Sequence, residues 1–222
     1  MSDWLNRLVR KKILLATVVS LLFNNWLLGL FVNWKLIKKG GSISELSSAG
    51  QPAHWLFQGL DVVAGIAIVV LALALSKNID LRRKSGQWVV GSLVVLGIAN
   101  IADAFMPLPC SGTLDPRCSS PVHLGLHGFS IPTHAISSSV IGLCFLLLPL
   151  LSLAYFRGRR YAAISTLVTI LATLIFFGSL LVESLHGSYS GSASAGYTQE
   201  IQMLVFGGWL ILMARSSSHP ES

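Results

Sequence analysis

Six long apolar runs, separated by short polar segments, dominate the chain, and each approaches or reaches the roughly 17 to 25 residues that a helix needs to cross a bilayer. They fall at about 13–33, 55–76, 87–106, 131–156, 162–182 and 198–214. Their length predicts helices and not the short alternating strands of a membrane barrel. The last run is the least apolar, because Gln199, Glu200 and Gln202 polarise its first turns. The first is preceded by Arg7, Arg10, Lys11 and Lys12, as a signal peptide is. It is too long for an h-region, contains Asn24 and Asn25 and lacks a small-x-small cleavage site, so it is expected to remain in the protein.

Composition agrees. Hydrophobic residues make up 53% and charged residues 11% of the 222-residue chain, against about 25% charged in soluble domains. Mean hydropathy is +0.68. These values predict an all-α, six-helix transmembrane bundle forming a single domain over 1–222, placed in the cell membrane.

Charge sets the expected orientation. Lys and Arg collect on the cytoplasmic side of membrane proteins. With the N-terminus inside, Arg7, Arg10, Lys11, Lys12, Lys77, Arg82, Arg83, Lys84, Arg157, Arg159, Arg160 and Arg215 are cytoplasmic, leaving Lys35, Lys38, Lys39 and Arg117 outside, a division of 12 to 4 among 16 cations. Both termini are then cytoplasmic. The net charge of +7 is a topology signal that also faces anionic headgroups. No soluble module presents it to nucleic acid. The expected partner is membrane lipid.

On this topology the outer half carries the polar chemistry. Glu45, Asp61, Asp103, Asp115, Glu183 and Glu200 lie there, with His54, His123, His127, His134 and His186. Cys110 and Cys118 share one outer loop and are expected to form a disulfide, which persists in oxidising compartments. Cys144 reads as a small apolar packing residue. The six Trp residues, at 4, 26, 34, 55, 88 and 209, mostly fall near helix ends and read there as interfacial anchors.

Several of these residues carry a family resemblance. The stretches "SELSSAGQP", "WLFQGLDVVAG", "ADAFMPLPCSGTLDPRC" and "THAISS" resemble, over about 44–213, an uncharacterised family of bacterial and archaeal membrane proteins catalogued as domain of unknown function 998. Ser44, Glu45, Asp61, Asp103, Pro107, Cys110, Cys118 and His134 match its pattern. Relatives often have a second His where this chain has Ile131, and an Arg where it has Glu200. The resemblance implies a six-helix membrane protein and supplies no reaction.

The segment "SSPVHLGLHGFSIPTHAISSS" holds His123, His127 and His134. On one ideal helix the three would lie within about 40° of each other. Gly125, Gly128 and Pro132 argue against such a helix. The expected helix instead has Ser130 as N-cap and Pro132 in its first turn, with His134 one turn inside. A helix N-terminus disfavours cationic His134, which suits a metal ligand or a hydrogen-bond acceptor.

An ionisable group inside a membrane segment marks a functional candidate or a structural pair. Asp61, about two turns into the second helix, is expected to face His134, with Asp103 at the rim and Asn100 on the face of Asp103. Glu183 and His186 lie nearer the interface, where water solvates them. Ser137, Ser138 and Ser139 read as packing and hydrogen-bonding residues; a nucleophilic serine among them would need a base within reach.

The favoured function is therefore a polytopic membrane protein with an outward-facing His/Asp pocket that is structural or binds a lipid or partner. The alternative is a metal-dependent hydrolase acting on an outer-leaflet lipid. Its metal candidates are His134, Asp61, Asp103, His123 and His127, with Asp61, Asp103 and His134 also the catalytic candidates and zinc the metal. A transporter is disfavoured by the absence of an evident inverted repeat. No P-loop, dinucleotide fingerprint or nucleophile elbow is present.

Overall fold

The computed structural model describes residues 2–115, 118, 130–156, 160–185 and 193–217. Among these are six helices of 21 residues or more: α1 (Ser2–Phe23), α2 (His54–Ser76), α3 (Lys84–Ala104), α4 (Ser130–Tyr155), α5 (Arg160–Leu185) and α6 (Ala193–Ser216). No strand occurs among the described residues. Each helix packs on its sequence neighbours, and α6 returns to pack on α1. The helices therefore form a closed ring. Its centre is filled by Phe23, Phe145 and Phe206 from α1, α4 and α6, with ring centroids 4.6 to 6.0 Å apart.

α2, α3, and the segments Thr133–Tyr155 of α4 and Ala162–Val182 of α5 are long and apolar enough to cross a membrane. Large apolar residues on their outer faces, such as Val63, Ile66, Ile98, Leu143 and Leu171, are exposed, as expected of surfaces that meet lipid tails. Arg10–Phe23 and the following Asn25–Val32 make a fifth span only if taken together, because the chain bends by 53° between them.

That bend departs from the single run expected over 13–33. Asn24 Nδ2 donates to Ser20 O at 2.8 Å and across to Met203 O of α6 at 3.2 Å, while its Oδ1 accepts from Trp26 Nε1 at 3.1 Å. Side-chain bonds to nearby backbone offer the chain an alternative to the helical ladder. Beyond the break the chain makes a 3-10 turn (Asn25–Leu28) and two short helices (Gly29–Val32 and Trp34–Lys38).

The Trp reading also divides. Trp34, Trp55 and Trp88 are exposed, whereas Trp26 and Trp209 are buried, Trp209 donating its Nε1 to Thr166 at 3.2 Å. These two are core residues and not anchors. Cys144 is buried and free, as expected for packing.

The two ends of the ring are chemically distinct. At one, Asp80 N donates to Tyr155 Oη at 2.7 Å, joining the α2–α3 turn to the end of α4, and Ser152 Oγ meets Met213 Sδ of α6. Lys77, Arg82, Arg83, Lys84 and Arg215 lie at this end. At the other, Ala49 N donates to Leu108 O at 3.1 Å, Tyr197 Oη to Lys38 O at 2.7 Å and Ile43 N to Gln199 Oε1 at 3.0 Å. The Cys110–Cys118 disulfide, with its Cα atoms 5.8 Å apart, belongs to this second end.

Candidate functional site

Glu45 organises the disulfide-bearing end. It is buried in the 3-10 turn Ile43–Ser47, where Ser42 N donates to Oε1 at 3.2 Å and Ser42 Oγ to Oε1 at 3.3 Å. From the loop after α3, Thr113 N donates to Oε2 at 3.0 Å, Thr113 Oγ1 to Oε1 at 2.9 Å and Ser111 Oγ to Oε2. One carboxylate thus ties two loops from distant parts of the sequence. Ser111 and Thr113 were not foreseen, because nothing in a Ser/Thr-bearing loop tells which acid it will meet.

Below this lid lie two polar groups. In the first, Asn25 Nδ2 donates to Asp61 Oδ1 at 2.6 Å, and Asn100 Nδ2 donates to the Asp61 backbone oxygen at 2.6 Å. Here α2 and α3 come very close. A Cβ on Gly65 would lie 2.6 Å from Gly97 O, and one on Gly97 would lie 2.6 Å from Gly65 O. Small residues at facing positions let membrane helices approach backbone to backbone, which brings Asn100 within reach of the α2 carbonyl.

In the second group, His134 Nδ1 lies 3.1 Å from both Asp103 Oδ1 and Met106 O. In the neutral ring two acceptors around Nδ1 place the proton there and leave the Nε2 lone pair free. Ser138 Oγ lies 3.3 Å from Nε2 and 3.1 Å from Asp103 Oδ1. Ser137 Oγ also donates to Asp103 Oδ1, and lies within reach of Thr133 O and His134 O. The i, i+3 and i+4 spacing of His134, Ser137 and Ser138 turns all three toward the end of α3. His134 and Ser137 are buried; Asp103 and Ser138 are partly exposed.

The partner expected for His134 was Asp61, and the structure gives it Asp103. Depth along the helices, on which the expectation rested, says nothing of which neighbour a helix faces. α4 packs on α3, so the α3 carboxylate reaches the histidine. Asp61 instead meets Asn25, just beyond the α1 break. α4 begins at Ser130, which places His134 about one turn inside, and Asn100 shares the α3 face of Asp103.

His123, His127 and His186 lie outside the described residues, as does the side chain of Glu183. Among the described residues, no three His, Cys, Asp or Glu side chains gather in a set that could hold a metal ion.

A third polar layer joins α5 to α6. Thr166, Thr169, Thr173, Glu200 and Gln202 are buried, and Gln202 Nε2 lies 3.5 Å from Thr173 Oγ1. Among the described residues, Glu200 Oε1 and Gln202 Oε1 have no hydrogen-bond partner. The i, i+3 and i+7 spacing of the threonines was available in the sequence as a helical face.

The family model for a protein of unknown function (DUF998) matches residues 14–216. The chain belongs to the DUF998 family. The match begins within α1 and runs to the end of α6, so the Glu45 lid and the His134 cluster both lie within the DUF998 region. No curated protein and no solved structure matches the chain.

Proposed function

We propose that the chain is a six-span membrane protein with both termini in the cytoplasm, and that its disulfide-bearing end faces outward. The carrying observation is the separation of the two ends of the ring. Basic residues collect at one, where the positive-inside rule puts the cytoplasm. The Cys110–Cys118 disulfide and the Glu45 lid lie at the other, and a disulfide suits an oxidising exterior. A reporter that is active only when exported, fused after residue 218, is expected to stay silent; activity there would reverse the orientation.

Within this frame the Asp103–His134–Ser137–Ser138 cluster acts as an interhelical clamp at the outer end, with Ser138 giving an outer-leaflet lipid a polar edge to contact. One carboxylate on α3 accepts from Ser137 Oγ and Ser138 Oγ of α4 and lies 3.1 Å from His134 Nδ1. Asp103→Ala leaves these donors without their acceptor and is expected to cost about 1 to 3 kcal/mol, whereas Asp103→Asn keeps an acceptor oxygen and should cost less. Thermal melting in detergent tests the order. Equal stability of Asp103→Ala and the parent would remove the clamp.

A further inference from the structure

We propose that the face formed by Lys35, Lys38 and Lys39, with Phe31 and Trp34 beside it, binds the headgroup of an anionic phospholipid in the outer leaflet. The proposal rests on the outward orientation argued above and names the lipid class that this end of the protein prefers.

Local geometry fixes the face. Lys35 and Lys38 belong to the short helix Trp34–Lys38 and Lys39 directly follows it, and their i, i+3 and i+4 spacing puts all three on one side. Leu36 and Ile37 take the other side, where they are buried. The segment is held in place by three bonds: Gly41 N donates to Leu36 O at 3.0 Å, Tyr197 Oη of α6 to Lys38 O at 2.7 Å, and Asn33 Nδ2 to Gln51 Oε1 at 2.7 Å. The three lysines are exposed, and among the described residues none is paired with a carboxylate. Three carboxylates of this end are engaged elsewhere, Glu45 by Ser42, Ser111 and Thr113, Asp61 by Asn25, and Asp103 by Ser137 and Ser138.

Depth and charge together name the occupant. Phe31 is 88% and Trp34 54% exposed, and Trp55 in the first turn of α2 and Phe105 just past α3 are exposed at the same end. Exposed aromatic rings of this kind sit at the boundary between headgroups and acyl chains, so the lysines beside them stand at headgroup depth. On the topology proposed above only four cations of the sequence lie outside, and three of them are these lysines. Lacking a counter-charge of their own, they are complementary to a phosphodiester of net negative charge, and one lysine near an anionic surface contributes a preference of about fivefold. A zwitterionic headgroup gains less, because its ammonium meets the same lysines and is repelled. A soluble polyanion would satisfy the charge but leave Phe31 and Trp34 in water.

The test places the full-length protein in phosphatidylcholine bilayers that carry a small fraction of lipid brominated near the top of its acyl chain, either phosphatidylglycerol or phosphatidylcholine. Bromine quenches nearby tryptophan, and the difference between the parent and Trp34→Phe isolates Trp34. The expected result is a phosphatidylglycerol preference at Trp34 of at least about fivefold. It should fall to parity when Lys35→Gln, Lys38→Gln and Lys39→Gln are combined, and survive Lys77→Gln with Arg82→Gln, which removes cations from the opposite end. Equal quenching by the two lipids in the parent, or a preference unchanged in the triple variant, would overturn the proposal. So would a Trp34 that neither lipid quenches, because a second copy of the chain or another protein would then cover the face. The parent and Trp34→Phe decide the first and third of these outcomes, so a triple variant that fails to fold does not obscure them. Sidedness is read separately by labelling Lys39→Cys on intact cells with a charged, impermeant maleimide. Labelling there supports the outer leaflet. Labelling only after permeabilisation would overturn the orientation and the leaflet together, whereas the quenching result bears on headgroup recognition whichever way the protein faces.

Discussion

Glu45→Ala is expected to lower the melting temperature by roughly 6 °C or more, the largest loss from any single carboxylate among the described residues. The buried side chain accepts from Ser42, Ser111 and Thr113 through both oxygens. A hydrogen bond to a charged group contributes about 1.5 to 3 kcal/mol, and a donor left buried without a partner costs about 1 to 3 kcal/mol. Water will reach some of these donors once the side chain is gone, so a net loss on the order of 3 kcal/mol is expected, not the sum. For a chain of this size each kcal/mol moves the midpoint by about 2 to 4 °C. A second measurement locates the damage. With the loop from Ser111 to Thr113 released, a soluble phosphine should reduce the Cys110–Cys118 disulfide faster than in the parent. A melting shift under about 2 °C with unchanged reduction would mean that the lid is held by something else.

Gly65→Leu is the other large effect. A Cβ at this position meets Gly97 O and Ile101 Cγ1, each at 2.6 Å, and a backbone oxygen cannot rotate away as a side chain can. α2 and α3 must therefore separate, which also draws Asn100 Nδ2 from the Asp61 carbonyl. Overpacking commonly costs about 1 to 3 kcal/mol and occasionally more; here the coupled loss of a hydrogen bond puts the effect at the upper end. Gly97→Leu should behave alike, because the contact is reciprocal. Gly59 and Gly91 stand in the same two helices with open space around the added atom. Gly59→Ala and Gly91→Ala should be neutral or stabilising by up to about 1 kcal/mol, the helix-propensity gain of Ala over Gly. If all four substitutions shifted the melting curve equally, close approach would not be what matters at Gly65.

These two predictions also show what was legible beforehand. Apolar run length located the six long helices, four of which are long and apolar enough to cross a membrane by themselves. Asn24 and Asn25 stood out as polar interruptions, but nothing in the sequence shows that the Asn24 amide at the 53° bend also reaches Met203 O, 179 positions away. Asp103 and His134 were recognisable as costly groups in an apolar setting. Their pairing was not, because which carboxylate reaches His134 is decided by the order of helices around the ring. Ser137 and Ser138 looked like Ser139 in the sequence, and only the packing of α4 on α3 shows that these two, and not Ser139, reach Asp103. The Gly65–Gly97 contact was hidden for a similar reason: among 20 glycines, only packing distinguishes those that another backbone touches.

The polarity of α6 has a consequence for how the protein is made. Glu200 and Gln202 leave it outside the group of helices apolar enough to cross on their own, yet it is the helix that joins α5 back to α1. Without it the Asn24 amide would lack Met203 O and Phe23 its Phe206 neighbour, and the other five long helices would stand as an open arc. On the six-span topology proposed above, entry of α6 would be a docking event onto its neighbours as much as a partition into lipid, with Gln202 Nε2 coming to lie 3.5 Å from Thr173 Oγ1 of α5. A nascent chain stalled before Ala193 would then present quality-control proteases with an unclosed ring.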